Sequence, residues 1–125
     1  MINLLLVALG GAAGALFRYG VNGLLYPVFG DKFPLATMAV NVVGSFVMGI
    51  LYVLIVERAV MPMEYRQLLM IGLLGAFTTF SSFSLDTLAL WQNGHLALAL
   101  FYVTASVLLC LLGTFSALAL TRYIS

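Results

Sequence analysis

Residues 77–84 gather five hydroxyls (Thr78, Thr79, Ser81, Ser82, Ser84) and three phenylalanines (Phe77, Phe80, Phe83) into one uncharged stretch. None of these groups is a nucleophile, acid or base of consequence without a helper. His95 is the only histidine in the chain and sits in a turn, so neither a metal cluster nor a Ser–His relay is expected within it. What the stretch can do is hold a small ion. Hydroxyls donate and accept hydrogen bonds, and an aromatic ring carries a positive edge. Ser and Thr also compete with the helix for backbone hydrogen bonds, and the β-branched pair Thr78-Thr79 following Gly75 lowers helix propensity. Two readings follow. In one, the helix breaks, its freed carbonyls available to a cation and its freed N–H groups to an anion, which lipid tolerates only inside protein or beside a water-filled cavity. In the other it stays continuous, with the hydroxyls bonded back to the preceding turn. Phe80 and Phe83 share a face at three-residue spacing, either as packing or as ring edges turned to an anion.

Other positions carry the same kind of chemistry. Asn41, Ser45 and Gly49 recur every four residues on one helical face. A carboxamide at such depth needs partners, and its NH₂ either serves as interhelical glue or donates to an ion on a path. Tyr102, Ser106, Cys110 and Thr114 form a second stripe at the same spacing, rising about 18 Å along a helix. That stripe is either a small-residue packing face or a ladder of donors. Gly10 and Gly14 make a G-x-x-x-G pair suited to close helix approach. Arg18 is either a snorkelling interfacial arginine or a vestibule cation that attracts anions. Asp86, an acid inside an otherwise apolar run, is interfacial or pairs with Arg18 or Arg122.

These residues must be positioned by membrane-spanning helices. The chain of 125 residues is 64% hydrophobic and 7% charged, with a mean hydropathy of +1.18. Five basic and four acidic side chains cannot clothe a water-soluble globule, which carries roughly a quarter charged residues. Runs without any charge cover residues 33–56, 67–85 and 87–121, where about 20 apolar residues suffice for one crossing. The last run is divided by Gln92-Asn93-Gly94-His95, a turn-like tetrapeptide. The reading is one all-α domain, residues 1–125, with four spans near 2–25, 35–56, 66–91 and 96–121. Connections are expected at residues 22–34, 57–64 and 92–95, where Pro27, Pro34 and Pro62 fall. The N-terminal apolar run lacks the basic residue that a signal peptide carries ahead of it. The single Cys110 allows no intrachain disulfide.

With four spans, Arg58, Arg66 and Arg122 lie on one side of the membrane and Arg18 and Lys32 on the other. That is hardly a bias. Either the orientation is set by other factors, or the chain inserts both ways up and pairs as an antiparallel homodimer. No phosphate-binding loop or basic patch is visible, so enzymatic chemistry and nucleic-acid binding are not expected. Membrane transport or a helper role remains.

At Gly75-Ala76-Phe77-Thr78-Thr79-Phe80-Ser81-Ser82-Phe83-Ser84 the chain closely resembles the prokaryotic fluoride channel family, the Fluc or CrcB type. The likeness extends to Gly14-Ala15-Leu16-Phe17-Arg18, to Ala36-Thr37 through Asn41, and to the polar stripe of the fourth span, and so covers nearly the whole chain. It implies a four-helix subunit of the cell membrane, with a third helix broken near mid-membrane. It implies an antiparallel dual-topology homodimer in lipid that passes fluoride passively out of the cell. Backbone carbonyls of Gly75 and Thr78 would hold a structural sodium ion at the dimer centre. Phe80 and Phe83 would supply ring edges beside the anion, Asn41 a pore donor, Ser81 and Ser84 neighbouring hydroxyls, and Tyr102, Ser106 and Thr114 a polar track, with Arg18 at the vestibule. Cys110 stands where the resemblance implies serine, and Asp86 where it implies glutamate. The alternative class is a small multidrug-type four-helix transporter. That class needs a carboxylate in the first span, which has none, so Asp86 would have to substitute.

Overall fold

The computed structural model describes residues 1–30 and 32–125 of the chain. It is helical from end to end: α1 (Ile2–Phe29), α2 (Leu35–Leu51) running on into a π-helical stretch π1 (Tyr52–Glu57), then π2 (Arg66–Leu74) followed by α3 (Gly75–Phe77), α4 (Phe80–Gln92) and α5 (Leu96–Ile124). No strand occurs among the described residues. Four stretches, Ile2–Val28, Leu35–Glu57, Arg66–Gln92 and Leu96–Ile124, are each long and apolar enough to cross a bilayer. Their outward surfaces are built for lipid. Leu4, Leu16, Leu111 and Phe115 stand 65 to 72% exposed, a density of bare apolar side chains that water does not tolerate.

Glycine decides which helices touch. A Cβ at Gly10 would strike the carbonyl of Leu68, and one at Gly14 the carbonyl of Leu73; at Gly72 it would lie 2.8 Å from the carbonyl of Val7. The backbones of α1 and π2 are therefore in direct contact, as small residues permit in apolar solvent. The paired positions climb together (Val7 with Gly72, Gly14 with Leu73, Arg18 with Ala76), so these two helices run parallel. A second parallel pair is α2 with α5. There a Cβ at Gly113 would sit 3.6 Å from the carbonyl of Val42, and one at Gly49 2.8 Å from the Ala117 Cβ. At its far end this pair is closed by Arg122 and Glu57: Nε donates to Oε1 at 2.9 Å and Nη2 to Oε2 at 2.6 Å. Arg58 adds a bond from Nη2 to the Arg122 carbonyl at 3.2 Å. A cation in the last turn of α5 also suits the carbonyl-rich end of that helix. Arg122 is thereby committed to Glu57 rather than to Asp86.

Two local features depart from the expected pattern. α1 continues through the part of residues 22–34 expected to be connection and takes Pro27 into its last turn. There proline forfeits only its own bond to the turn before, and the helix ends at Gly30. That residue holds the positive φ of 58° and donates its N–H to the Tyr26 carbonyl at 2.6 Å. The π-helical windings of π1 and π2 are the second departure. Between α4 and α5 the chain turns at Asn93–His95, with Gly94 at φ 86°, where the turn was expected.

Candidate functional site

Between α3 and α4 two residues are extended: Thr78 has ψ 158°, and Thr79 has φ −154° and ψ 113°. The groups around them are redistributed with care. Thr78 sends both its N–H and its Oγ1 to the Leu74 carbonyl, each at 3.0 Å. Thr79 donates its N–H to Asn41 Oδ1 at 2.8 Å, and its carbonyl accepts from Asn41 Nδ2 at 3.1 Å. One amide side chain thus imitates a neighbouring strand for a single residue. Thr79 Oγ1 caps α4 by accepting from the Ser82 N–H at 3.1 Å and lies 3.3 Å from Ser81 Oγ. Arg18 Nε reaches the Ala76 carbonyl at 3.0 Å. Gly44 lets α2 come this close, since a Cβ there would collide with Thr78 Cγ2. Among the described residues no hydrogen bond reaches the carbonyls of Gly75 or Thr78.

A cleft of about 410 Å³ opens beside this segment, between α2, α4 and α5. Of the residues singled out in the sequence, it brings together Asn41, Phe80, Phe83, Ser106 and Thr114, along with Cys110, Ser45 and Thr78. Phe80 is 78% exposed, and its ring lies 5.4 Å from that of Phe83. Ser106 is 4% exposed, and its Oγ has no hydrogen-bond partner. Thr114 Oγ1 donates to the Ser45 carbonyl at 2.9 Å, so its lone pairs, not its proton, remain for a guest. Asn41 likewise has one N–H committed to Thr79 and one left over.

The other candidates lie outside the cleft. Tyr102 is fully buried, its ring 5.2 Å from Phe83 and 5.6 Å from Phe33, edge-on to the latter. Its hydroxyl points at Asp86 Oδ2, 3.4 Å away. Ser84 Oγ bonds back to the Phe80 carbonyl at 3.1 Å, and Ser81 is exposed beside Thr79. Arg18 lines a separate cavity of about 370 Å³ with Asn22, Thr37, Thr79, Ser82 and Asp86. Asn22, Thr37 and Asp86 also line an adjoining cavity of about 410 Å³. Thr79 is on the wall of both the Arg18 cavity and the cleft, so the extended residue stands between the two.

Asn22 is a site residue that the sequence reading passed over, and Thr37 entered it only through the resemblance. A signal existed for both: Asn22 follows Arg18 by four residues and Thr37 precedes Asn41 by four, which puts each pair on one helix face. No group of three or more His, Cys, Asp or Glu side chains suited to a metal occurs among the described residues. The site offers backbone carbonyls, hydroxyls, the amides of Asn41 and Asn22, ring edges, the Arg18 guanidinium and the Asp86 carboxylate. It is equipped to hold and pass a small ion, and it carries no catalytic constellation.

Residues 5–118 match the family described as CrcB-like protein, Camphor Resistance (CrcB). A protein of Saccharophagus degradans named fluoride-specific ion channel FluC is 52% identical over 122 residues, covering 98% of this chain and 91% of the relative. One of the same name from Agrobacterium fabrum is 48% identical over 122 residues, covering 98% of each. Another, from Shewanella baltica, is 50% identical over 111 residues, covering 89% of each.

Proposed function

Since the chain belongs to the CrcB-like family of multi-pass membrane proteins, we propose that it is a fluoride-specific ion channel that lets fluoride leave the cell down its gradient. Its relatives are named as ion channels, a non-enzymatic function. The observation that carries the reading is the convergence of Asn41, Phe80, Phe83, Ser106 and Thr114, from three spans, on one uncharged cleft. Fluoride is small and tightly hydrated. A pore must therefore replace its water with close donors, yet bind weakly enough to release it. Hydroxyls, an amide N–H and ring edges do so without a fixed charge that would trap the anion.

In this reading the anion enters through the cavity of Arg18 and Asn22, where a guanidinium draws it in. It passes Thr79 into the cleft and moves along the edges of Phe80 and Phe83, with the unpartnered Ser106 hydroxyl as a donor and Thr114, Ser81 and Ser84 nearby. Tyr102 stands behind Phe83 and holds the ring in place as much as it offers its hydroxyl. The working unit is an antiparallel homodimer with two such paths. The bare Gly75 backbone and the exposed Phe80 ring support it, because a second subunit would cover both.

A structural sodium ion fits the same seam. The free carbonyls of Gly75 and Thr78 are hard oxygen donors, the type that suits hard cations. From two subunits they would hold it, and it would supply a fixed positive charge between two helix interruptions. The multidrug-transporter reading finds no support, since α1 has no carboxylate and Asp86 accepts from Tyr102 instead of lining the cleft.

Fluoride efflux from proteoliposomes, followed with a fluoride-selective electrode, tests the assignment. Purified protein that moves chloride or a drug cation but no fluoride would refute it.

A further inference from the structure

Ser106 and Cys110 stand four residues apart on α5 and face the same cleft. The Ser106 hydroxyl is more than nine-tenths buried and has no partner, whereas buried polar atoms are nearly always satisfied. An oxygen held in this way is waiting for a guest. The thiol one turn away is a poor donor to a hard anion. It is an excellent ligand for a soft cation, because thiolates select thiophilic metals. Cys110 is partly accessible, unlike the inert thiols sealed in apolar cores, and it is the only cysteine in the chain.

We propose that Cys110, with Ser106 beside it, is a modification site for thiophilic metals, and that a metal seated there closes the cleft. The closure rests on the channel reading given above. Mercury(II) is the fitting probe, because its linear chloride complex is neutral and can enter a wall that carries no charge. The exchange is redox-neutral. The S–H bond and one Hg–Cl bond break, an S–Hg bond forms, and a proton and a chloride ion leave to water. The sulfur then bears an Hg–Cl rod in the cleft that Phe80 and Thr114 also line, with the Ser106 oxygen one turn away on α5 as a weak secondary donor.

The test treats reconstituted protein with mercuric chloride and reads two quantities independently: intact mass, and fluoride efflux relative to each protein's own untreated rate. The expected result is one mercury per chain and a fall in flux of about tenfold or more, as for an obstructed pore, reversed by dithiothreitol. Cys110→Ser should take up no mercury and keep its own rate under treatment. Cys110→Ala repeats the comparison if the serine variant does not assemble. The proposal is overturned if wild-type protein takes up no mercury, if it is mercurated and still conducts, or if Cys110→Ser is blocked equally. Untreated protein that passes no fluoride refutes the channel reading and the block together. That outcome differs from mercurated, conducting protein, which sinks only the cysteine site.

Discussion

Replacing Asn41 with alanine removes both halves of the clamp on Thr79 at once. The Thr79 N–H loses an acceptor at 2.8 Å and its carbonyl a donor at 3.1 Å. Stranding a buried polar group costs about 1–3 kcal/mol, so the pair amounts to about 2–6 kcal/mol. An opposing consideration is that interhelical hydrogen bonds in membranes average only about 0.6 kcal/mol, because an undocked helix finds other partners. Here the other partner would be the Gly75 carbonyl one turn back, and reaching it requires the extended residues to wind into helix. That winding is resisted by Arg18 on the Ala76 carbonyl and by Thr79 Oγ1 on the Ser82 N–H. The desolvation cost should therefore dominate, and its lower end is the safer figure. Asn41→Ala is expected to lose about 2 kcal/mol, close to a 30-fold shift in the folded-to-unfolded ratio. Thermal unfolding followed by circular dichroism in detergent measures the loss, and fluoride efflux should fall with it. Asn41→Asp is the internal control. It keeps the acceptor for the Thr79 N–H but turns a second oxygen toward the Thr79 carbonyl, so it should be no better than alanine. Wild-type unfolding and flux in Asn41→Ala would refute the claim that this amide holds the extended segment.

Phe80→Ile and Phe83→Ile should each abolish fluoride flux while the purified protein still elutes at the size of the unmodified assembly; normal flux in both removes the rings from the mechanism. Gly14→Ala places a methyl against the Leu73 carbonyl and should cost about 1–3 kcal/mol of stability, as overpacking does, seen as a lower unfolding temperature. Gly23→Ala, where a Cβ would meet nothing within 4 Å, should leave that temperature unchanged or slightly raised. An engineered cysteine after Ser125, in a Cys110→Ser background, should be labelled equally from both faces of the membrane; one-sided labelling would exclude the antiparallel pair.

Much of this was visible in the residues themselves. The spacing of uncharged runs located four spans, and the crowding of hydroxyls on Thr78–Ser84 singled out the stretch on which the site is built. Asn41 and Ser106 were picked out because polar groups are expensive in lipid, and both line the cleft. What the sequence hid was chiefly tertiary. The windings of π1 and π2 carry no compositional mark; at π2 the chain is pressed against the bare backbone of Gly10 and Gly14. The Arg122–Glu57 pair joins residues of two different spans and the cavity of Arg18, Asn22, Thr37 and Asp86 residues of three, and no local window contains either set. Pro27 misled because proline is read as a terminator, while in a last turn it costs only one bond.

The parallel pairing of α1 with π2, and of α2 with α5, governs how the molecule is made. A chain threaded into the bilayer in order delivers α1 first, yet α1 must wait for the third crossing before its glycines meet a neighbour. In the same way Gly49 of α2 waits for the fourth. Each early helix therefore has only the limited α1–α2 contact to rest on, with Arg18 and Asn41 still short of their partners, until well over half the chain has been synthesised. Assembly is then a late step, with the α1–π2 pair and the Asn41 clamp open to forming once the third crossing is in place and the α2–α5 pair following. Contacts of such long sequence separation are slow to form. A premature stop just before α5 would spare the Asn41–Thr79 clamp but leave the cleft without the wall that Ser106 and Thr114 supply.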